Sequence, residues 1–487
     1  MKTFYISTSI PYVNAAPHIG HALEFVQADV AARFARQNKQ DVFFLSGTDD
    51  NALKNALSAE DAGITPREWV DKHSEIFKKL LISLNISNDD FIRTSLEDRH
   101  IKGAQKLWMS CKKEDIYKKK YKGFYCVGCE EFKKESDLVN QECIEHIGRK
   151  LETVEEENYF FRLSSYQQKI EDILTNNDLK IIPESRKNEV LSFVRQGLED
   201  FSISRSRSRA KNWGVIVPND DSQVMYVWFD ALSNYINALG FANNLENFKK
   251  YWENGEEIIH VIGKGISRFH AIYWPAILLS AGVSLPKKIF VHGYLTIDGV
   301  KISKTLGNIV DPFELIKKYG SDSVRYYLLR EFTATEDGDY SEEKFIARYN
   351  ADLANGLGNL VSRVFTLIDK KGKIVSDIDK NIEKEISEKI VSTKNKVDDF
   401  TKEFKFSEAL SCIWELLSFA DKYVNDHKPW AEKDNTKTLI NVVTIIDSLA
   451  ILLAPFLPDS AGKISNSIIY EADGVRVVRG ASLFPRI

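Results

Sequence analysis

The chain has 487 residues, of which 43% are hydrophobic and 28% charged, with a net charge of −4. That length predicts roughly two to four domains around a sizeable core. No uninterrupted apolar run approaches the ~18 residues of a membrane span, and the chain enters a strand at once with no leader signal, so a cytoplasmic protein without a membrane partner is expected. The small net charge excludes nothing about nucleic acid, because basic patches are local. Five cysteines argue against a disulfide framework in that compartment.

"TFYISTSI" reads as a strand, and the stretch from residue 19 onward places Ile19, Leu23, Val26, Val30 and Phe34 at helical spacing. "PHIGH" at 17–21 therefore sits at a helix N-terminus, where backbone N–H groups and the macrodipole favour an anion such as phosphate. Pro17 suits the entry, Gly20 keeps the backbone open to a ligand, and His18 and His21 share a helix face. Two surface histidines capping a helix are the plain alternative, and five residues do not separate the two. A second strand, "DVFFLSGTD", continues a β-α-β-α rhythm up to about residue 110.

Irregular, charged sequence follows to about residue 220. It holds two basic stretches, "KKEDIYKKKYK" and "RSRSRAK", readable as polyanion contacts, as solvated surface or, for the second, as a linker. Cys126, Cys129, Cys143 and His146 form two C-x-x-C/H pairs thirteen residues apart. Four such ligands close a tetrahedral zinc shell, so a structural zinc, one per chain, is expected. Cys111 and Cys412 stand apart and read as buried hydrophobes. The α/β rhythm resumes with "EIIHVIGKG", "FHAIYWPAILLSAG" and "KIFVHGYL", then "DGVKISKTLGN" places Lys301 and Lys304 on a glycine-bracketed loop able to close over a polyphosphate. A surface hairpin with solvated lysines is the alternative. From about residue 345 only helical periodicity is evident. The pattern predicts an α/β fold: a Rossmann-like parallel sheet domain split by a zinc-knuckle insertion, followed by a C-terminal α-helical bundle. The expected segments are 1–111 and 225–295 for the sheet halves, 112–224 for the insertion, 296–344 for the KISKT loop and stem-contact region, and 345–487 for the helices.

The stretches "PYVNAAPHIGH", "GFYCVGC", "NEVLSFV", "DFSISR", "YVWFDALSNYI", "VIGKGI", "KISKTLGN" and "RYNADLANGLGNLVSR" together resemble the methionyl-tRNA synthetases, a class I aminoacyl-tRNA synthetase family, over essentially the whole chain. The resemblance implies ATP-dependent joining of L-methionine to tRNA(Met), initiator and elongator, through a methionyl-adenylate, with Mg²⁺ accompanying ATP. It implies that His18 and His21 hold the phosphates, that Lys301 and Lys304 close over pyrophosphate with Arg205 nearby, and that Gly20, Gly263 and Lys264 face ATP. It assigns the methionine pocket to Ile10, Tyr12, Trp228, Ala231, Leu232, Tyr235, Ile266 and His270, with Asp49 taking the ammonium. On spacing alone, Tyr235 reads as core packing. The resemblance also implies that Asn359 and Arg363, four apart on one helix face, and Trp430 in "HKPWAEK" read the CAU anticodon; without it, Trp430 reads equally well as a core aromatic. The zinc knuckle would lie near the acceptor stem.

The sequence departs from the family at three places. "GTDDNAL" stands where members often have GTDEHG, so a histidine is absent and Asp50 competes with Asp49. Gly265 replaces an aspartate, so a ribose contact is lost or remade, and the signature loop carries Ile302 and Thr305 for Met and Ser. Two other functions compete: a noncatalytic RNA-binding protein, in which one phosphate motif should have eroded, and a synthetase for leucine, isoleucine or valine, which usually carries a large editing insertion. Nothing follows "SLFPRI", so a monomer is expected.

Overall fold

The computed structural model describes residues 1–126, 131–133, 138–139, 142–143, 151–302, 308–375, 382–431 and 434–487. Packing divides the chain into two compact units. One comprises Met1–Pro17, Lys39–Leu80 and Ser87–His292; the other comprises His18–Asn38, Leu81–Ile86 and Gly293–Ile487.

The first unit is built on a six-stranded parallel sheet in the order Asp90–Arg93, Asp41–Thr48, Thr3–Thr8, Glu257–Gly263, Lys288–His292, Lys180–Ile182. Successive residues of a strand face opposite sides, and Tyr5, Ile6, Ser7 and Thr8 are all 0% exposed, so the sheet is covered on both faces. The edge strand Lys180–Ile182 comes from the stretch read as an insertion. At three residues it is too short for periodicity to reveal.

Another part of that stretch forms an antiparallel sheet in which Ile116–Cys126 pairs with Glu152–Phe161. Lys120 lies opposite Glu157 and Lys122 opposite Glu155, while Lys118 meets Asp220 at 2.8 Å. The lysine-rich strand is thus matched by an acidic one, which favours the solvated-surface reading over a polyanion contact. "RSRSRAK" is no linker: Ser204–Ser206 is a strand, and Arg209 pairs with Glu152 at 2.9 Å. Cys111 and Cys412 are buried, and burial pushes the Cys111 thiol up to about 12, as suits an inert hydrophobe.

The second unit gathers the helix Ile19–Gln37 with Pro312–Tyr319, Ser321–Arg330, Tyr349–Gly358, Asn359–Lys371, Lys384–Lys402, Phe406–His427, Thr436–Leu453 and shorter elements. Its centre is ionic. Asp29 and Arg325, both 0% exposed, meet at 2.7 Å, and Arg33 reaches the same carboxylate at 2.8 Å. Arg325 spends its other donors on the carbonyls of Phe456, Leu84 and Pro455 at 2.8, 3.1 and 3.0 Å. One guanidinium therefore fastens four separate stretches of chain. Thr436–Leu453 is long and apolar enough to cross a membrane by composition, yet 67% of it is buried in the protein, as befits a core helix.

The region after 345 is not helical throughout. Lys373–Val375, Gly474–Val477 and Ile468–Glu471 form a three-stranded antiparallel sheet. Its strands have at most four residues, and long helical periods on either side mask their alternation.

Asp29→Ala should destabilise the protein by about 3–5 kcal/mol, because it strands a buried guanidinium. Urea unfolding measures this, and Asp29→Leu with Arg325→Met should recover much of the loss. An Asp29→Ala midpoint equal to wild type would show that the pair is energetically neutral.

Candidate active site

The carboxyl ends of the parallel strands lead into the residues expected to hold methionine. Thr3–Thr8 continues to Ile10 and Tyr12, Asp41–Thr48 to Asp49, and Glu257–Gly263 to Lys264, Ile266 and His270. Thr3–Thr8 and Glu257–Gly263 are the adjacent strands at which the sheet order reverses, where open α/β sheets form their ligand crevice. Tyr12 and Asp49 are joined there as an isolated parallel bridge, with the Asp49 N–H donating to the Pro11 carbonyl at 2.9 Å.

Aromatic rings dominate this corner. Trp228 lies flat on Phe269, 3.8 Å between centroids and 6° between planes, and meets Tyr12 and His270 edge-on at 6.3 and 6.4 Å. Such a cluster suits a polarizable thioether. Ala231 and Leu232 are buried on the same short helix as Trp228, Val227–Leu232, and Ile10 and Ile266 are half-buried against the core. Tyr235 is buried as spacing suggested, but it also has a polar role: its hydroxyl lies 2.7 Å from His270 Nε2. His270 Nδ1 lies 3.0 Å from the Ile266 carbonyl, which only accepts. Nδ1 therefore carries a proton, and the Tyr235 hydroxyl holds the other ring nitrogen. Both polar groups are thus bonded within the pocket wall.

The two adjacent aspartates differ sharply. Asp50 is 0% exposed and accepts from Thr48, Ser74 and Ser95 hydroxyls at 2.9, 3.0 and 2.8 Å. Arg93 adds Nε and Nη2 at 3.0 and 2.9 Å, and the Trp213 indole donates to the Asp50 carbonyl at 2.7 Å. Asp50 is a structural anion. Asp49 accepts the Asn51 N–H on Oδ1 at 3.1 Å, and its carbonyl accepts from Asn55 at 2.8 Å. Sequence reading passed over Arg93, Trp213 and the Asp230–His100 pair. Asp230 stands inside "VWFDA", and an acid among aromatics was the available signal.

In the second unit, "PHIGH" opens the helix Ile19–Gln37 as expected, but its amides are not open to an anion. The Gly20 N–H donates to His18 Nδ1 at 3.1 Å and the His18 N–H to His21 Nδ1 at 3.1 Å, a reciprocal cap made by two histidines. Ile19 N–H donates to the Val310 carbonyl at 3.2 Å and His21 N–H to the His18 carbonyl at 2.9 Å. Because each Nδ1 accepts, each ring carries its proton on Nε2, so the imidazoles rather than the backbone offer donors to a phosphate. Gly20 has a steric reason of its own, since a Cβ there would lie 2.9 Å from the His18 ring. Burial pushes the His18 imidazole down to about 4.

Lys264 and Gly263 stand at the end of strand Glu257–Gly263, both half-buried, and Gly265 is exposed beside them. Arg205 is buried in strand Ser204–Ser206 with its guanidinium 5.3 and 5.2 Å from the ring centres of Tyr125 and Tyr226. Lys301 lies in a hairpin whose Asp298–Gly299 turn has φ of 53° and 71°, the left-handed pair that a two-residue hairpin needs. Lys304 and Thr305 lie outside the described residues, as do Cys129 and His146 of the zinc set. Cys126 and Cys143 are buried thiols, and among the described residues no group of three or more His, Cys, Asp or Glu is placed to hold a metal.

Asn359 and Arg363 fall one turn apart on helix Asn359–Lys371, and Asn359 is exposed. Arg363 is held to Asp421 and Asn425 of helix Phe406–His427 at 2.7 and 2.9 Å. Trp430 follows the end of that helix and is 53% exposed, which rules out the core-aromatic reading.

The family model described as tRNA synthetases class I (M) matches residues 4–365, and that of the anticodon-binding domain of tRNA ligase matches residues 383–475. The chain belongs to the class I methionyl-tRNA synthetases. Methionine--tRNA ligases of this family from Brucella suis and Caldanaerobacter subterraneus are 42% and 43% identical to it, covering 97% and 100% of this chain and 93% and 79% of theirs. The Mycobacterium tuberculosis methionyl-tRNA synthetase in complex with methionyl-adenylate has a TM-score of 0.92 at 38% identity, with both chains covered to 100%. Its apo form has a TM-score of 0.84 at 36% identity, covering 100% of this chain and 98% of that one.

His18 should titrate near pH 4 in a ¹H–¹⁵N NMR experiment, with the Nε2–H tautomer above it. The unfolded ring takes a proton below its usual 6.5 that the folded ring refuses, so this group's contribution to stability falls as pH drops from 6.5 toward 4. His18→Gln should flatten that part of the stability–pH curve; a His18 titration at 6.5 or above would refute the buried, neutral ring.

Proposed function

We propose that this protein ligates L-methionine to tRNA(Met) through a methionyl-adenylate, in cytoplasmic protein synthesis. The observation that carries this is the full-length likeness to a methionyl-tRNA synthetase in complex with methionyl-adenylate, at a TM-score of 0.92. In the first step a methionine carboxylate oxygen bonds to the α-phosphorus of ATP while the bond to pyrophosphate breaks. In the second, the 2′-hydroxyl of the terminal ribose attacks the adenylate carbonyl and AMP leaves.

Asp49 takes the methionine ammonium, since Asp50 already has Arg93 and three hydroxyls around its carboxylate. Trp228, Tyr12 and the hydrogen-bonded Tyr235–His270 wall receive the thioether. His18 and His21 hold phosphate oxygens through Nε2–H, a neutral donor that binds phosphate without adding charge. Lys301, Lys304 and Arg205 supply the positive charge for pyrophosphate, with Lys264 and Gly263 on the ATP side. Mg²⁺ travels with ATP, held mostly by its phosphates and water. Cys126, Cys129, Cys143 and His146 hold a structural zinc, a reading supported by their spacing and by the burial of Cys126 and Cys143. The chain acts as a monomer on initiator and elongator tRNA.

Pyrophosphate exchange into ATP should require methionine in a panel of all amino acids. Exchange driven by leucine, isoleucine or valine would overturn the substrate assignment, and none with any amino acid would favour a noncatalytic RNA-binding protein.

Trp430, exposed beside the Arg363–Asp421 pair's helix, should stack on an anticodon base. Trp430→Ala is expected to lose ~1–3 kcal/mol in charging of intact tRNA, the range for base–aromatic stacking, while adenylation stays near wild type. An equal fall in both activities would assign Trp430 to structure.

A further inference from the structure

We propose that Asn51, Asp230 and His100 are positioning residues that set the distance between the ammonium and thioether ends of the methionine pocket. This rests on the reading of Asp49 as the ammonium's partner. Asp230 is 1% exposed on helix Val227–Leu232, beside Trp228 and Ala231, and its two oxygens serve different neighbours. Oδ1 is bonded to His100 Nε2, and Oδ2 accepts from Asn51 Nδ2 at 2.7 Å. Asn51 also donates to the Thr94 carbonyl at 3.2 Å, and its backbone N–H donates to Asp49 Oδ1 at 3.1 Å. The bonds run from His100 through Asp230 and Asn51 to Asp49 without a break.

The protonation of this chain of bonds follows from its members. His100 Nε2 gives its proton to the Asp230 carboxylate, while the Asn237 amide donates to the Ser233 hydroxyl and the His100 carbonyl at 2.7 and 3.2 Å and fixes the turn that carries His100. Asp230 in turn accepts on both oxygens, which is what a carboxylate at 1% exposure requires to stay buried. His100 is itself 0% exposed, so it cannot turn to water and release Asp230.

Its location gives this chain of bonds a task. Asp49 sits on one segment and Trp228 on another, nearly 180 residues away in sequence, and the Asn51–Asp230 bond is a strut between those segments. Apolar pockets alone separate substrates differing by one methylene by only about 10–200-fold. A strut that holds the carboxylate at a set distance from the Trp228 helix adds a second criterion, the length between ammonium and sulfur. The amide at position 51 is what makes the strut possible, since Asp230 needs a donor there.

The test is methionine-dependent pyrophosphate exchange by the full-length enzyme and its variants. Asn51→Asp sets carboxylate against carboxylate, and should raise the KM for methionine about tenfold or more while KM for ATP and kcat stay within about twofold. Asn51→Asp with Asp230→Asn restores a donor facing an acceptor and should return the KM toward wild type. On an Asp49→Asn background, Asn51→Asp should add little, because both act through the same contact. Discrimination against homomethionine, whose chain between ammonium and sulfur is one methylene longer, should weaken in Asn51→Asp and return in the swap. Should Asn51→Asp fail to fold, Asn51→Ala carries the same expectation for methionine KM. An unchanged methionine KM, a parallel rise in both KM values, or a swap without rescue would overturn the strut. A wild-type enzyme that does not exchange with methionine would overturn the substrate reading itself, and the proposal with it.

Discussion

Parallel strands all deliver their chain to the same edge of a sheet, and the pocket proposed for methionine follows from that direction. Thr3–Thr8, Asp41–Thr48 and Glu257–Gly263 end side by side, so Tyr12, Asp49 and the Lys264–His270 turn arrive at one edge although more than 200 residues separate the first from the last. The order reverses between Thr3–Thr8 and Glu257–Gly263, so the chain leaves that pair on opposite sides and backbone does not fill the gap. The sheet can be this direct because it is buried on both faces, where near-continuous apolar strands need no solvent side.

A polar site in such a core has to satisfy its own hydrogen bonds. Asp50 shows how: Arg93, three hydroxyls and the Trp213 indole hold the segment that carries Asp49, so the carboxylate proposed to meet the ammonium stands on a fixed base. Tyr235 and His270 solve the same problem by bonding to each other and to the Ile266 carbonyl.

The second unit applies the same economy. His18 and His21, proposed to hold phosphate, cap their own helix, which decides their tautomers. That helix is itself fastened by Asp29 to Arg325, whose remaining donors meet three backbone carbonyls on two other stretches. A guanidinium has enough donors, in a fixed plane, to do this; a lysine would not.

The sequence by itself determined the periodic elements: the apolar strands, the helix after "PHIGH" and the long C-terminal helices, because period is a local property. It also marked the candidate phosphate and anticodon residues through short stretches with distinctive residue types. The short edge strand Lys180–Ile182 and the C-terminal sheet were not legible, since three or four residues carry no period and their partners lie far along the chain. The basic strand 116–126 could be read as solvated surface or as a polyanion contact, and its pairing with an acidic strand favours the first. Likewise Asp49 and Asp50 are indistinguishable in "GTDDNAL", and only the approach of Arg93, Ser74 and Ser95 makes one structural. Asn51 read as a missing histidine, whereas in the fold it is the donor to Asp230. Chemistry that depends on which side chain meets which, across long separations, is settled by packing alone.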